Sequence, residues 1–132
     1  MKTYKFKYAK LVRDRIPEKI KKSGGQASQK ILSESQYIVA LKNKLIEEGK
    51  ELVLAKKPED LLDELADIQE IIDNLLIALK SKAQDLKKIQ KEKNKKNGSF
   101  RNKVYINHIT VNETFDWLEY HLKNKDKYPL IK

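Results

Sequence analysis

The apolar positions of this chain fall into two long helical stripes, with short, differently patterned segments on either side. Tyr37, Ile38, Leu41, Leu45, Leu52 and Ala55 share one face of a helix at 3.6 residues per turn. Ser33 stands where an N-cap is needed, so a helix is predicted from Ser33 to about Ala55, and Pro58 either ends it or starts the next. Leu61, Leu65, Ile68, Ile72, Leu75 and Leu79 form a second stripe, within a helix predicted from Glu59 to about Lys93. A connection this short packs the two helices antiparallel. Residues 3–8 alternate aromatic residues with lysine, and residues 103–110 are apolar, β-branched and aromatic; both predict short extended or β segments. A brief helix is expected at residues 18–22, stopping at Gly24 and Gly25. Residues 94–99 read as a Lys/Asn/Gly loop, and Thr110 with Glu113 resembles a capping box opening a last helix through about Leu122. The expected fold is all-α, a single domain over residues 1–132 whose antiparallel helix pair forms a helical bundle on dimerisation.

Acids interrupt the first stripe and border the second. Glu48 fills the slot between Leu45 and Leu52, and Glu51 lies one turn on at the stripe's edge. Glu64 borders the second stripe, with Asp67 one turn further, next to Ile71. A carboxylate facing a core costs several kcal/mol unless it is paired, hydrogen-bonded or bound to a cation. A salt bridge to a lysine and a bound cation both answer that cost, and position alone does not separate them. The second helix tilts the balance, because antiparallel packing brings all four acids together, and four crowded carboxylates need cations among them. An all-oxygen donor set suits Mg²⁺ or Mn²⁺ rather than zinc. His108 and His121 are remote in sequence and read as surface or packing residues.

Charge sharpens this picture. The formal net charge is +10, yet residues 34–73 carry eleven Asp/Glu against five Lys/Arg. Residues 1–30 carry ten Lys/Arg against two acids, and residues 80–103 repeat that ratio. An acidic block framed by basic ones points to a metal ion with a polyphosphate, whereas a uniformly basic surface points to nucleic acid. With 36% charged and 39% hydrophobic residues, the chain is polar for a monomer, as expected if a partner subunit completes the apolar stripes. There is no cysteine, which excludes disulfides, thiolate metal sites and cysteine nucleophiles. No apolar run approaches the roughly 20 residues of a bilayer span. Neither a secretory signal nor a Walker-type phosphate loop is present, so the expectation is a cytoplasmic protein without membrane partners that is not a P-loop ATPase.

The acids have a recognisable order. Glu47, Glu48 and Glu51 form an EExxE, followed after twelve residues by Glu64 and Asp67 as ExxD. This resembles the signature of the MazG superfamily of all-α nucleoside triphosphate pyrophosphohydrolases. Residues 10–17, KLVRDRIP, look like the KLVRDKIP opening of one MazG-like subgroup. Residues 97–101 are similar to that subgroup's basic GGF segment, although Ser99 follows Gly98 where a second glycine is expected, and residues 126–130 also fit it.

The resemblance implies Mg²⁺-dependent cleavage of a nucleoside triphosphate between its α- and β-phosphates, with Mn²⁺ as the alternative metal. Products are a nucleoside monophosphate and pyrophosphate, an activity suited to cleansing nucleotide pools, and the assembly is a homodimer or a higher homo-oligomer. By motif position Glu48, Glu51, Glu64 and Asp67 are metal ligands, and Glu47 joins Glu48 as a catalytic carboxylate that orients or deprotonates water. Lys10, Arg13 and Arg15, with Lys96, Arg101 and Lys103, are candidates for holding phosphates; for Arg13 and Arg15 the alternative is a surface pair with Asp14 or Glu18. Asn74 is a candidate for base or sugar contact, or equally for hydrogen bonding at the core edge. Three other functions fit parts of the pattern: a phosphoribosyl-ATP pyrophosphohydrolase-like enzyme, a basic helical nucleic-acid-binding or regulatory module, and a helical oligomerisation domain. The acids on the buried faces weigh against nucleic acid as the partner.

Overall fold

A computed structural model describes all of residues 1–132. It contains five helices and no strand: α1 (Ile16–Lys22), α2 (Glu34–Leu54), α3 (Pro58–Ala78), α4 (Ala83–Asn97) and α5 (Leu118–Lys123). The chain divides into two compact units, Met1–Lys93 and Asn94–Lys132. No helix is long and apolar enough to cross a membrane.

In the first unit, α2 packs on α3. The Ser33 hydroxyl accepts from the Gln36 N–H, and the Gln36 side chain accepts from the Ser33 N–H, a reciprocal capping box that opens α2. Pro58 opens α3: its ring keeps Lys57 extended and its missing N–H would have no partner there anyway. Tyr37 near the start of α2 meets Asn74 near the end of α3, while Glu48 meets Glu64, so the helices are antiparallel.

Two helix ends use the same device with different residues. At α1, the Gly25 N–H reaches the Ile20 carbonyl at 2.9 Å and the Gly24 N–H reaches Lys21 at 3.1 Å, with Gly24 at φ +92°. At α3, the Ser81 N–H reaches Leu76 at 2.9 Å and the Lys80 N–H reaches Ile77 at 3.0 Å, with Lys80 at φ 55°. Both are Schellman closures, which need one residue in the left-handed region. The second one corrects the expectation of a continuous helix from Glu59 to Lys93. The chain breaks at residues 79–82 and restarts as α4, whose first turn is tied by the Lys82 N–H to the Asp85 carboxylate. Helix α4 then runs on to Asn97, through most of the expected loop, until Gly98 at φ +81°.

The seam between α2 and α3 is narrow. Leu41 (3% exposed) and Ile71 (5%) are its fully buried residues. Leu52, Ile68, Ile72 and Leu75 are half-buried as expected for stripe residues, but Leu45 and Leu65 are exposed. Two helices cover only one line of side chains each, and apolar flanks beyond that line have nothing to rest on.

The remaining expectations divide. Residues 3–8 and 103–110 form no strand, because neither finds a hydrogen-bonding partner. Tyr4 and Phe6 instead stack on one another, with centroids 6.5 Å apart. In the second unit, Thr110 and Glu113 cap nothing. Asn112 folds the chain locally by accepting from the Thr114 N–H at 3.0 Å and its hydroxyl at 2.5 Å, and the last helix begins only at Leu118. That unit gathers Phe115, Trp117, Tyr120, His121 and Tyr128 into an aromatic cluster.

Candidate metal centre

Helix α2 places Lys44, Glu47, Glu48 and Glu51 within about two turns, and α3 places Glu64 and Asp67 one turn apart. Glu48 lies in the seam, with 13% of its side chain exposed. One carboxylate oxygen each from Glu48, Glu64 and Asp67 lies within 4.8 Å of the others. The Glu64 Oε2 is buried and has no hydrogen-bond partner.

Like charges at this spacing cannot all persist without compensation. Part of the compensation is a raised proton affinity at Glu64. A hydrogen bond with Glu48 raises the Glu64 pKa to about 7, helped by burial and by the charges of Glu48, Asp67 and Glu51. Cations supply the rest. Arg13 reaches Asp67 at 2.6 Å, Lys10 reaches Glu47 at 2.9 Å, and Lys44 lies 3.1 Å from Glu47 and 3.6 Å from Glu48. The Lys10 hydrogen bond outweighs burial and holds the Glu47 carboxyl below its usual range, with Lys44 assisting; the same contact raises Lys10.

Three of the four expected ligands therefore converge. Glu51 lies outside the triad with an exposed side chain, although its charge is felt at Glu64. Of the phosphate candidates in this unit, Lys10 sits on Glu47, Arg13 sits on Asp67 rather than on Asp14 or Glu18, and Arg15 is exposed and forms no ion pair. Asn74 is engaged by its neighbours: its Oδ1 accepts from the Tyr37 hydroxyl at 3.3 Å and its Nδ2 donates to the Glu70 carbonyl and carboxylate at 2.8 Å. Lys96, Arg101 and Lys103 belong to the second unit; the Arg101 N–H donates to Ser99 Oγ, and Lys103 sits at φ 60°. His121 packs on Tyr128 with its Nδ1 2.8 Å from the Trp117 carbonyl, and His108 is exposed.

One residue escapes the pattern of stripes and acids. Lys44 is the partly buried cation between Glu47 and Glu48. Its spacing of three and four residues from those acids is the one signal the sequence carries for it.

The donor set consists of carboxylate oxygens alone, one of them buried with nothing to accept. Such a set suits a hard divalent cation, which would displace any proton on Glu64 and satisfy the orphaned oxygen in one event. Comparison of the chain with protein-family models, curated proteins and solved structures finds no match.

Proposed function

We propose that this chain is a MazG-like, Mg²⁺-dependent nucleoside triphosphate pyrophosphohydrolase acting in the cytoplasm. The observation that carries the reading is the seam triad of Glu48, Glu64 and Asp67 around an unpartnered carboxylate oxygen. A salt bridge alone does not account for it, because Lys44 approaches Glu48 and Arg13 approaches Asp67, yet Glu64 Oε2 keeps no partner.

In this reading Glu48, Glu64 and Asp67 hold Mg²⁺, with Glu51 as a further carboxylate at the rim. A dication held there would supply positive charge to offset the triphosphate and would acidify a bound water. Glu47 is kept ionised by Lys10 and Lys44, so it stands ready to accept a hydrogen bond from the attacking water and orient it. Water oxygen bonds to the α-phosphorus as its proton passes through Glu47 to solvent, the α–β bridge bond breaks, and the bridging oxygen leaves on pyrophosphate. Lys10, Arg13 and Arg15, from the segment beside these acids, are the cations available for the outer phosphates.

The apolar flanks support a homodimer. Leu45, Ile46, Leu62 and Leu65 are exposed on helices whose shared seam is otherwise only one residue line wide. A second copy of the helix pair would cover them and complete a bundle. Light scattering at micromolar concentration should show a dimer; a monodisperse monomer would contradict this part.

The test of function is a nucleotide panel with Mg²⁺. The expected products are pyrophosphate and a nucleoside monophosphate from at least one triphosphate, with EDTA abolishing turnover. Orthophosphate and a diphosphate would refute the α–β assignment. No turnover, with salt-sensitive binding of DNA or RNA, would favour the nucleic-acid-binding alternative.

A further inference from the structure

The segment from Lys10 to Arg13 lies across the helix pair. Lys10 is bonded to Glu47 on α2, Arg13 to Asp67 on α3, and Leu11 and Val12 between them are half-buried. The two anchors differ in what they hold. Glu47 is outside the triad, whereas Asp67 is one of its three members. The Arg13 guanidinium therefore occupies a carboxylate that a cation would also use.

From this geometry we infer that Arg13 is an exchangeable counter-ion: it neutralises Asp67 until a divalent cation arrives, then yields the carboxylate and turns to the polyphosphate that follows. The inference rests on the metal-site reading above. A guanidinium 2.6 Å from an Asp67 oxygen and a dication on the same carboxylate would lie only a few ångströms apart. Even in a medium as polar as water, their repulsion exceeds what an exposed ion pair is worth. Release is easy, because the Arg13 side chain is 58% exposed and held by this one ion pair. Once free, its planar fork matches a phosphate as well as it matched the carboxylate. The Lys10–Glu47 bond lies outside the triad, so arrival of the cation leaves the segment anchored at that end.

The test measures Mn²⁺ binding by electron paramagnetic resonance, without nucleotide, for the parent, Arg13→Gln and Arg13→Lys. The exchange predicts that Arg13→Gln binds Mn²⁺ about two- to fivefold more tightly than the parent, the worth of an exposed ion pair removed from competition. Arg13→Lys, which keeps the charge, should bind like the parent. With Mn²⁺ saturating, inorganic tripolyphosphate should bind Arg13→Gln about tenfold more weakly, the size of one lost charge-assisted hydrogen bond. Opposite signs for the two ligands are the signature of a residue passed from one to the other. Equal or weaker Mn²⁺ binding by Arg13→Gln would overturn the exchange while leaving the metal site standing. Tighter Mn²⁺ binding with unchanged tripolyphosphate affinity would also overturn it, since nothing is then handed over. Absence of Mn²⁺ binding in all three proteins would remove the metal site itself, and the exchange with it.

Discussion

Two polar clusters lie along the same α2–α3 seam, and they are built on opposite plans. Towards one end, the Tyr37 hydroxyl donates to Asn74, and Asn74 donates to Glu70. Donors and acceptors match, so that cluster is complete in itself. Towards the other, Glu48, Glu64 and Asp67 are all carboxyl groups, crowding raises the Glu64 pKa to about 7, and Glu64 Oε2 has no hydrogen-bond partner. Leu41 and Ile71 form the buried core of the same seam. Tyr37 and Asn74 are half-buried, as are Glu48, Glu64 and Asp67, so burial of these side chains does not distinguish structure from function here. The balance of donors and acceptors does: a closed network fixes how two helices meet, while a network short of positive charge asks for a ligand.

The largest effect should separate the clusters by activity. Glu48→Gln should lower Mg²⁺-dependent turnover at least about 100-fold, as loss of a direct ligand exceeds the usual outer-shell penalty, whereas Tyr37→Phe should leave it within about twofold of the parent. Steady-state pyrophosphate release measures both. Next in size is the core that the clusters share. Ile71→Ala should cost about 2–5 kcal/mol in urea unfolding, the range for truncating a buried aliphatic side chain, and should harm both clusters alike. Smaller still, Tyr37→Phe should cost about 0.5–1.5 kcal/mol, the net worth of one hydrogen bond, and the cost should be the same with and without Mg²⁺.

The finest distinction is in pH. Folded Glu64 titrates near 7, above its ordinary 4.5, so between those values the folded protein holds a proton that the unfolded chain has lost. Metal-free protein should therefore lose stability as pH rises from 4.5 through 7, and Glu64→Gln should flatten that slope. Glu47, held low by Lys10, acts in the opposite sense and in another window: its contribution fades as pH falls below its ordinary value. Melts at about pH 5 and about pH 7.5 in EDTA read the Glu64 part alone. A parent whose melting temperature climbs over that interval, with no difference from Glu64→Gln, would mean that the acids are not crowded.

Tyr37, Asn74 and the three acids of the triad are residues that the sequence pattern singles out, whereas Glu70 is not, and the differences are instructive. Helix α2 is legible because Ser33, Gln36 and Pro58 act through local chemistry that needs no partner. The end of α1 is legible because Gly24 advertises a left-handed residue; the end of α3 is not, because Lys80 takes the same conformation without the glycine. Residues 3–8 and 103–110 carry strand-like alternation, but a strand is a property of two segments and the pattern shows only one. Glu48 is legible as an acid in an apolar slot, and Glu64 as an acid bordering a stripe. Leu45 and Leu65 pattern as core because periodicity reports every apolar flank, whereas one neighbouring helix buries a single line. The pairing of Arg13 with Asp67 crosses 54 residues and has no local signal.

The central claim is that the acid cluster is short of a cation, and paired thermal melts of the parent and Glu48→Gln, each with EDTA and with Mg²⁺, test it most directly. Without metal, the substitution removes a charge from the cluster, its new amide can donate to Glu64, and Lys44 keeps Glu47 as its partner. The mutant should then melt at the parent's temperature or above it. With Mg²⁺, the parent should gain stability through binding to the folded state, and the mutant should gain less. A mutant that loses about 3–5 kcal/mol without metal, as when a buried ion pair is broken, in a protein whose melting ignores Mg²⁺, would show that Glu48 is half of a structural salt bridge and that the cluster awaits no ion.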